Sequence, residues 1–189
     1  MSKQFLMLAA VVLLMTGSVS AQAPEKGDYS SCDIHVVKST ICGWWHKDGA
    51  GGNTSHLTVR EENDTGGLTY LSLECMGDGG MLVYVQAKHP LLSQDDFDIE
   101  VLPKVTYRVD NGSLKNMEVY PAHEADADGQ PVADLNALQL SGQTLQQMAN
   151  AKKRFQVVID RNGMSKLTYS FPVYGLEMAI KAVNYCKRM

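Results

Sequence analysis

The acidic run at residues 123–129 is the part of the sequence whose spacing best imitates a ligand-binding motif. Carboxylates at Glu124, Asp126 and Asp128, followed by a glycine, match the start of an EF-hand loop, which binds calcium through alternating oxygen ligands. The twelfth position of that loop needs a bidentate glutamate, and this sequence has Leu135 there. We therefore interpret the run as an exposed acidic loop rather than a calcium site, and we predict no metal and no cofactor.

Sequence motifs for catalysis are absent from the chain. There is no Gly-x-Ser-x-Gly that would present a serine nucleophile, and no His-Glu-x-x-His that would bind a catalytic zinc ion. The five histidines have no common spacing, although a fold can bring distant side chains together. We predict a protein without catalytic residues, and a hydrolase assembled from distant loops is the less favoured alternative.

Polar loops are the other places where function is expected, because loops present binding residues on a rigid scaffold. Three long polar stretches are predicted as loops, at residues 43–56, 88–103 and 121–140. Two of them are acidic, and an acidic loop can enter a basic cleft on a partner. The candidate partner contacts in these two loops are Asp95, Asp96, Asp126 and Asp128.

A pair of tryptophans, Trp44 and Trp45, offers a second candidate contact. An exposed aromatic pair is typical of a binding surface, since tryptophan is enriched among the residues that dominate interfaces. The alternative is that one indole packs beside a disulfide formed by Cys32 and Cys42. The sequence favours the packing interpretation and leaves the contact interpretation open.

Four cysteines indicate two disulfides in an exported chain, and three pairings are possible. Cys32 and Cys42 are ten residues apart and resemble a local clip. Cys75 ends a strand-like segment with inward parity, and Cys186 lies near the apolar face of the last predicted helix. We predict Cys32–Cys42 and Cys75–Cys186, the second stabilising by about 4–5 kcal/mol in the chain-entropy model. A zinc site is the rival interpretation, but the sequence contains no Cys-x-x-Cys.

Residues 1–21 have the features of a secretory signal peptide. Lys3 precedes the apolar run LMLAAVVLLM, and small residues at Val19-Ser20-Ala21 form a cleavage site. A membrane-spanning helix needs about 20 apolar residues, so the run is too short to remain as an anchor, and no other run is long enough. We therefore predict export to the periplasm, with no membrane span after the signal is removed.

Charge limits the class of partner. Cleavage removes one of the 17 basic residues and none of the 21 acidic ones, which leaves a net charge of −5. Nucleic acids and anionic membranes both favour a basic surface, so neither is expected as a partner. The expected partner is another periplasmic or envelope protein.

The pattern of apolar residues predicts an α+β fold. Alternation predicts a hairpin of Leu68–Cys75 with Met81–Ala87, and a second hairpin of Lys104–Asp110 with Met117–Tyr120. Apolar residues at helical spacing predict helices at 141–153 and 174–187. We expect an antiparallel sheet of about six strands with two packed helices, the last one C-terminal, stapled by disulfides.

A third hairpin, between residues 154 and 172, allows its register to be predicted. Apolar residues alternate with polar ones on both of its strands. A two-residue Asn-Gly loop would put the two apolar rows on opposite faces. A three-residue loop with Gly163 in the left-handed region pairs Phe155 with Tyr169 and keeps both rows on one face, so we predict this loop.

Three segments are predicted along the chain. The signal peptide is residues 1–21, and residues 22–66 form an N-terminal segment that contains the Cys32–Cys42 clip. Residues 67–189 form a C-terminal α+β domain. The boundary lies at the turn-forming run of Asn, Asp, Thr and Gly at residues 63–67.

The stretch from about residue 68 to 186 resembles the VasI-like periplasmic proteins that are associated with type VI secretion. The resemblance rests on LSLEC and the strand after it, KVTYRVDNG, TLQQMANAKKRFQVVI and SFPVYGLEMAIKAVNYC. The last segment is similar to the family's strand, Gly-Leu, amphipathic helix and terminal cysteine. Members of this family are accessory proteins without known catalysis, so the resemblance implies a non-enzymatic role and supplies no catalytic residues.

Two functions are therefore expected from the sequence. The first is a periplasmic accessory protein that acts by contact, as the resemblance implies. The alternative is an inhibitor or immunity-type protein that binds a hydrolase, since small exported β domains with disulfides suit that role.

Overall fold

A computed structural model of the chain describes residues 32–35, 41–77 and 79–187. The signal peptide predicted at residues 1–21 lies outside the described residues. Within them the strands, in chain order, are β1 (Ile34–His35), β2 (Ile41–Trp44), β3 (His56–Arg60), β4 (Tyr70–Cys75), β5 (Met81–Gln86), β6 (Lys104–Val109), β7 (Lys115–Met117), β8 (Val119–Ala125), β9 (Pro131–Leu140), β10 (Arg154–Asp160) and β11 (Leu167–Pro172). The helices are α1 (Gln94–Asp98), α2 (Gln143–Ala149) and α3 (Leu176–Ala182). None of the helices in this described part has the length and apolar character needed to cross a membrane.

The strands form two antiparallel sheets. One has seven strands in the order β1-β2-β3-β4-β5-β9-β8, and the other has four in the order β11-β10-β6-β7. The α+β class, the antiparallel pairing, the C-terminal helix and both disulfides are confirmed. The chain builds the first five strands as a meander, crosses to the smaller sheet with β6 and β7, and returns with β8 and β9.

One apolar core joins the two sheets. Leu57 and Leu73 pair across β3 and β4 and are fully buried, as are Phe155 and Phe171 across β10 and β11. These side chains belong to a single cluster that also includes buried residues of α2 and α3. Alternation along central strands such as β3, β4, β6 and β10 therefore buries one face of each sheet and leaves the opposite face mostly polar.

Strands β2 and β3, from the predicted N-terminal segment, belong to the larger sheet. β3 pairs with β4 from His56 opposite Glu74 to Arg60 opposite Tyr70. The predicted boundary at residues 63–67 thus falls in the loop between two neighbouring strands of one sheet. This loop is tied to the smaller sheet, because the Ser170 backbone N–H donates to Glu61 Oε1 at 3.2 Å.

The hairpin of β10 and β11 keeps both apolar rows on one face, as predicted, and Gly163 has a left-handed φ of 62°. Its register, however, differs from the prediction. Phe155 lies opposite Phe171, and Tyr169 lies opposite Val157, so the predicted pairing of Phe155 with Tyr169 is wrong by two residues.

Arg161 explains the wider loop of this hairpin. Its Nε donates to the Ser165 carbonyl at 2.8 Å, and its Nη1 donates to the Pro90 carbonyl at 2.6 Å. An ion pair of 3.2 Å between Lys166 and Asp160 closes the base of the loop. Side-chain contacts therefore hold the loop open. The predicted register was based on the turn-forming residues alone and did not take these contacts into account.

The helices are shorter than predicted. α2 ends before Asn150, because the backbone N–H groups of Lys152, Lys153 and Arg154 donate to the carboxylate of Asp110 at 2.8–3.0 Å instead of continuing the helix. These donors outweigh the raising effect of burial and hold the pKa of Asp110 below its ordinary value.

Two predicted loops contain regular structure, so the loop predictions at 88–103 and 121–140 are wrong in part. The first contains α1, and the second is mostly the hairpin of β8 and β9. Val119 and Tyr120 consequently belong to β8 in the larger sheet, while the second predicted hairpin is made by β6 and β7. The side chains of β8 and β9 near the turn are exposed on both faces, so they lack the apolar alternation that predicts a strand.

Candidate functional site

The outward face of the seven-stranded sheet carries ordered rows of polar side chains. In one row Trp44, His56 and Glu74 lie opposite one another on β2, β3 and β4. Directly opposite residues of a ladder share one face of a sheet. A second row, formed by Thr58, Ser72 and Tyr84 on β3, β4 and β5, lies beside the first.

A cavity of about 430 Å³ lies over these rows. Its floor is formed by outward side chains of β3, β4 and β5, among them His56, Thr58 and Tyr84. One wall is formed by the hairpin of β8 and β9, through residues that include Glu124 and Asp134. The cavity thus depends on strands that are far apart in the sequence.

The wall belongs to a projecting hairpin, which we call the acidic arm (residues 122–134). Pro121 of β8 lies opposite Leu138 of β9, but the next residue, Ala122, lies opposite Asp134. The register of the two strands therefore shifts at this point. The extra residues of β9 form a bulge whose Leu135 carbonyl accepts the Leu91 N–H at 2.7 Å. β9 pairs with β5 only over residues 137–140, so the arm extends past the neighbouring strand.

The tip of the arm is a turn built by Asp126. Its Oδ1 accepts the backbone N–H groups of Asp128 at 2.9 Å and Gln130 at 2.8 Å. Asp126 therefore shapes the turn, while the Asp128 and Glu124 side chains are exposed on the arm. These oxygens do not form an EF-hand loop, because Glu124 is part of the β ladder, opposite Val132.

Asp95 and Asp96 lie on α1. The N–H of Asp96 donates to Ser93 Oγ at 3.0 Å, and Ser93 Oγ donates back to Asp96 Oδ2 at 2.8 Å, so this pair caps the helix. The Asp95 side chain is exposed. α1 supports the arm, since Phe97 packs edge-on against His123 with 5.4 Å between ring centroids. The structure therefore brings α1 and the arm together, as neighbouring acidic elements.

The two tryptophans have different environments. Trp44 stacks on His56 with 4.6 Å between ring centroids, and His46 stacks on the same imidazole at 5.5 Å. Trp45 is 40% exposed, and its backbone N–H donates to Asp33 Oδ2 at 2.9 Å. Trp44 therefore has a packing role beside the cavity, and Trp45 remains an accessible aromatic.

The pKa of His56 is lowered from 6.5 to about 4, mainly by burial. The neighbouring His46 contributes a smaller part of this lowering, and the carboxylate of Asp33 opposes it. At neutral pH the His56 imidazole is consequently uncharged. It contributes an aromatic face and a neutral polar edge to the cavity, and no positive charge.

The floor of the cavity contains one unpartnered hydroxyl. Thr58 is 3% exposed, and its Oγ1 has no hydrogen-bond partner within the described part of the chain. Beside it, Ser72 Oγ donates to Glu74 Oε1 at 2.8 Å. Burial and the negative charge of Glu74 raise the pKa of Tyr84 above its ordinary value.

All four cysteines form the predicted disulfides, Cys32–Cys42 and Cys75–Cys186. The zinc interpretation of these residues is therefore wrong. Across residues 32–35, 41–77 and 79–187, no three His, Cys, Asp or Glu side chains come together as the ligands of one metal ion would.

Comparisons of the chain with family models, with curated proteins and with solved structures each found no match. Interpretation of the site therefore depends on its own geometry.

Sequence reasoning missed the cavity residues His56, Thr58, Ser72, Glu74 and Tyr84. The available signal was the polar parity of β3 and β4, where outward polar residues alternate with inward leucines and valines. This pattern predicts only that one face of the sheet is exposed. The face becomes the floor of a cavity because the acidic arm lies over it.

Proposed function

We propose that the protein is exported by residues 1–21 and acts in the periplasm as an accessory protein. In this proposal it binds another envelope protein by contact and performs no catalysis. The observation that carries the proposal is the acidic arm, which extends past β5 and presents Glu124 and Asp128 to solvent. A projecting element of one charge speeds the approach of an oppositely charged partner and fixes its orientation.

The arm is well supported for such a role. The bulge at Leu135 fixes its base, the Phe97–His123 contact supports its side, and Asp126 shapes its tip. Binding by an element that is already ordered loses less conformational entropy than binding by a flexible loop. These contacts support recognition by a rigid arm.

The resemblance of residues 68–186 to VasI-like proteins supports a place for this protein beside a type VI secretion apparatus. In that setting the partner is a component of the apparatus in the envelope, with a basic surface that faces the arm. Accessible Trp45 is a second candidate contact on the same protein.

An inhibitor or immunity-type function is the second candidate. It is favoured by one specific observation, the narrow two-stranded shape of the arm with its acidic tip. A hairpin of this kind can enter the basic cleft of a hydrolase as a plug.

Site-specific photo-crosslinking in the periplasm tests the contact function. We place the crosslinker at residue 128 on the arm and, as a control, at the exposed residue Glu62 in the β3–β4 loop. We expect one envelope protein to crosslink from position 128 and not from position 62. Capture should fall when Asp128 is replaced by Lys, and the matched reversal Glu62→Lys should leave it unchanged.

Two further measurements separate the alternatives. If the crosslinked partner is a hydrolase, the purified protein should inhibit it, and Asp128→Lys should weaken this inhibition. If neither position yields a specific partner, or if the purified protein turns over a substrate, the contact proposal is wrong. Export is tested separately by sequencing the N-terminus of the periplasmic form, which we expect to begin at Gln22.

A further inference from the structure

The cavity beneath the acidic arm has the charge pattern of a cation site. Its lining residues include the acidic Glu74, Glu124 and Asp134, and among the described lining residues there is no lysine or arginine. Arg60 shares the outward face of the sheet, opposite Tyr70, but does not line the cavity. Three acidic residues around one space, with no lysine or arginine in its lining, favour the binding of a positive charge there.

The floor supplies an independent indication of a ligand. The Oγ1 atom of Thr58 is buried and unpartnered, and Thr58 lines this cavity. A buried hydroxyl without a hydrogen bond lowers stability, so such a group is usually completed by an ordered water, an ion or a ligand. A ligand N–H in the cavity would give Thr58 its missing partner.

The distribution of the carboxylates favours an organic cation over a metal ion. Glu74 lies on the floor, where Ser72 Oγ donates to it, while Glu124 and Asp134 lie on the wall. Within the described residues these side chains do not converge as the ligands of a single metal ion. A group that carries several N–H donors at different angles can reach such separated acceptors.

Aromatic side chains in the cavity also suit the binding of an organic cation. Tyr70 and Tyr84 line the same cavity as the three acidic residues. Aromatic faces attract ammonium and guanidinium groups and also pack against the alkyl chain that carries them. The cavity therefore offers contacts to both parts of an alkyl ammonium or alkyl guanidinium.

We propose that this cavity binds an alkyl ammonium or alkyl guanidinium group, with Glu74 and Asp134 as charge partners and Thr58 as a hydrogen-bond acceptor. The group belongs either to a small amine or to a Lys or Arg side chain of another protein. The assignment goes beyond the contact function of the arm and does not depend on it.

The test is an NMR titration of the full exported protein, with resonances of Thr58, Glu74 and Asp134 as the readout. The small probes are n-butylammonium and n-butylguanidinium. The peptide probe is a capped pentapeptide with one lysine among alanines. The neutral controls are n-butanol and glucose, and calcium chloride tests the metal alternative.

We expect saturable shifts at the cavity with the cationic probes and not with the neutral ones. Binding of the small probes without binding of the peptide would indicate a free amine as the natural ligand, and binding of the peptide would indicate a partner's side chain. Glu74→Gln should weaken binding by about tenfold, because it removes a charged hydrogen-bond partner. The control Glu62→Gln should bind as the wild type does.

Thr58→Val separates a binding role from a structural one. Valine has nearly the same shape and lacks the unpartnered hydroxyl, so the melting temperature should stay constant or rise. Binding of the cations should nevertheless weaken. The proposal is overturned if the cationic probes give no saturable shifts, if n-butanol, glucose or calcium binds as tightly, or if Glu74→Gln in a folded protein binds normally.

Discussion

The side-chain amide of Asn53 donates a hydrogen bond of 2.9 Å to the carbonyl of Val183, which is 130 residues further along the chain. The same nitrogen donates to the Lys187 carbonyl at 3.2 Å. Between these two carbonyls lie residues 184–186, three successive residues with positive φ of 51–58°. L-amino acids avoid this conformation, so external contacts must hold it. Asn53 thus fixes the left-handed turn that ends the C-terminal helix and carries Cys186.

Asn53→Leu should therefore destabilise the protein although the two side chains have similar size. The variant removes the side-chain donor from both carbonyls, of which only that of Val183 keeps a second donor, the Cys186 N–H, and we expect the free energy of unfolding to fall by about 2–4 kcal/mol. Urea unfolding followed by circular dichroism measures this change. The control is Asn116→Leu at an exposed position of β7. Equal stability of the two variants would contradict the role of Asn53.

The two disulfides should contribute unequally. Cys75–Cys186 joins residues 111 apart, whereas Cys32–Cys42 joins residues ten apart. In the chain-entropy model this difference in loop length favours the longer bond by about 2 kcal/mol. We expect Cys186→Ser to lower the melting temperature more than Cys42→Ser does. Equal melting temperatures in differential scanning calorimetry would show that loop length does not decide their contributions.

Acid should weaken the fold through His56. The unfolded chain binds a proton at this residue near pH 6.5, and the folded protein does so only near pH 4, because burial lowers the pKa. The stability linked to His56 is therefore complete above pH 6.5 and is lost as the pH falls towards 4. His56 is partly exposed, and after allowance for solvent screening we expect a loss of about 1–2 kcal/mol.

The comparison of wild type with His56→Phe isolates this effect from other acids that titrate in the same range. Phenylalanine preserves an aromatic ring between Trp44 and His46 and cannot be protonated. Free energies of unfolding measured from pH 7.5 to about pH 4 should decline less steeply in the variant. His89→Gln, at an exposed histidine, should follow the wild-type curve. A variant that declines as steeply as the wild type would exclude His56 as the source.

Two neighbouring acids of the arm should respond differently to substitution. Asp126 accepts two backbone N–H groups within the turn, so Asp126→Ala should loosen the tip. Asp128→Ala should leave it ordered, since its exposed carboxylate is not used by the turn. Amide hydrogen exchange at residues 128 and 130 measures the difference, and we expect faster exchange by about tenfold in the first variant. Similar exchange in both variants would show that Asp126 does not shape the turn.

Local patterns predicted the parts of the fold in which each strand has one apolar face. Leu57 and Val59 on β3 are fully buried, as the alternation in HLTVRE indicates, and both disulfides follow from the spacing and parity of the cysteines. The register of β10 with β11 was missed, because the contacts of Arg161 with Pro90 and Ser165 set the width of that loop. Such contacts join segments that no local pattern connects.

The candidate site was predictable only in fragments. Asp126 and Asp128 were recognised as acidic, but the hairpin that presents them was not, since both faces of its strands are exposed there. The polar floor around Thr58 and Glu74 was missed because each residue occupies an ordinary outward position. The floor becomes part of a cavity only because the acidic arm lies over it. The arm is positioned by the bulge at Leu135, whose carbonyl accepts the long-range hydrogen bond from Leu91.

The pairing of the cysteines has a consequence for the order in which the protein matures. Along the chain the first cysteine pairs with the second, and the third pairs with the fourth. If the chain is exported N-terminus first, as we propose, an oxidase that joins each new thiol to the preceding free one makes both native bonds directly. Exchange between mispaired cysteines is then unnecessary, although Cys75 must wait as a free thiol until the C-terminal turn arrives. The protein is therefore suited to rapid oxidation without a disulfide isomerase.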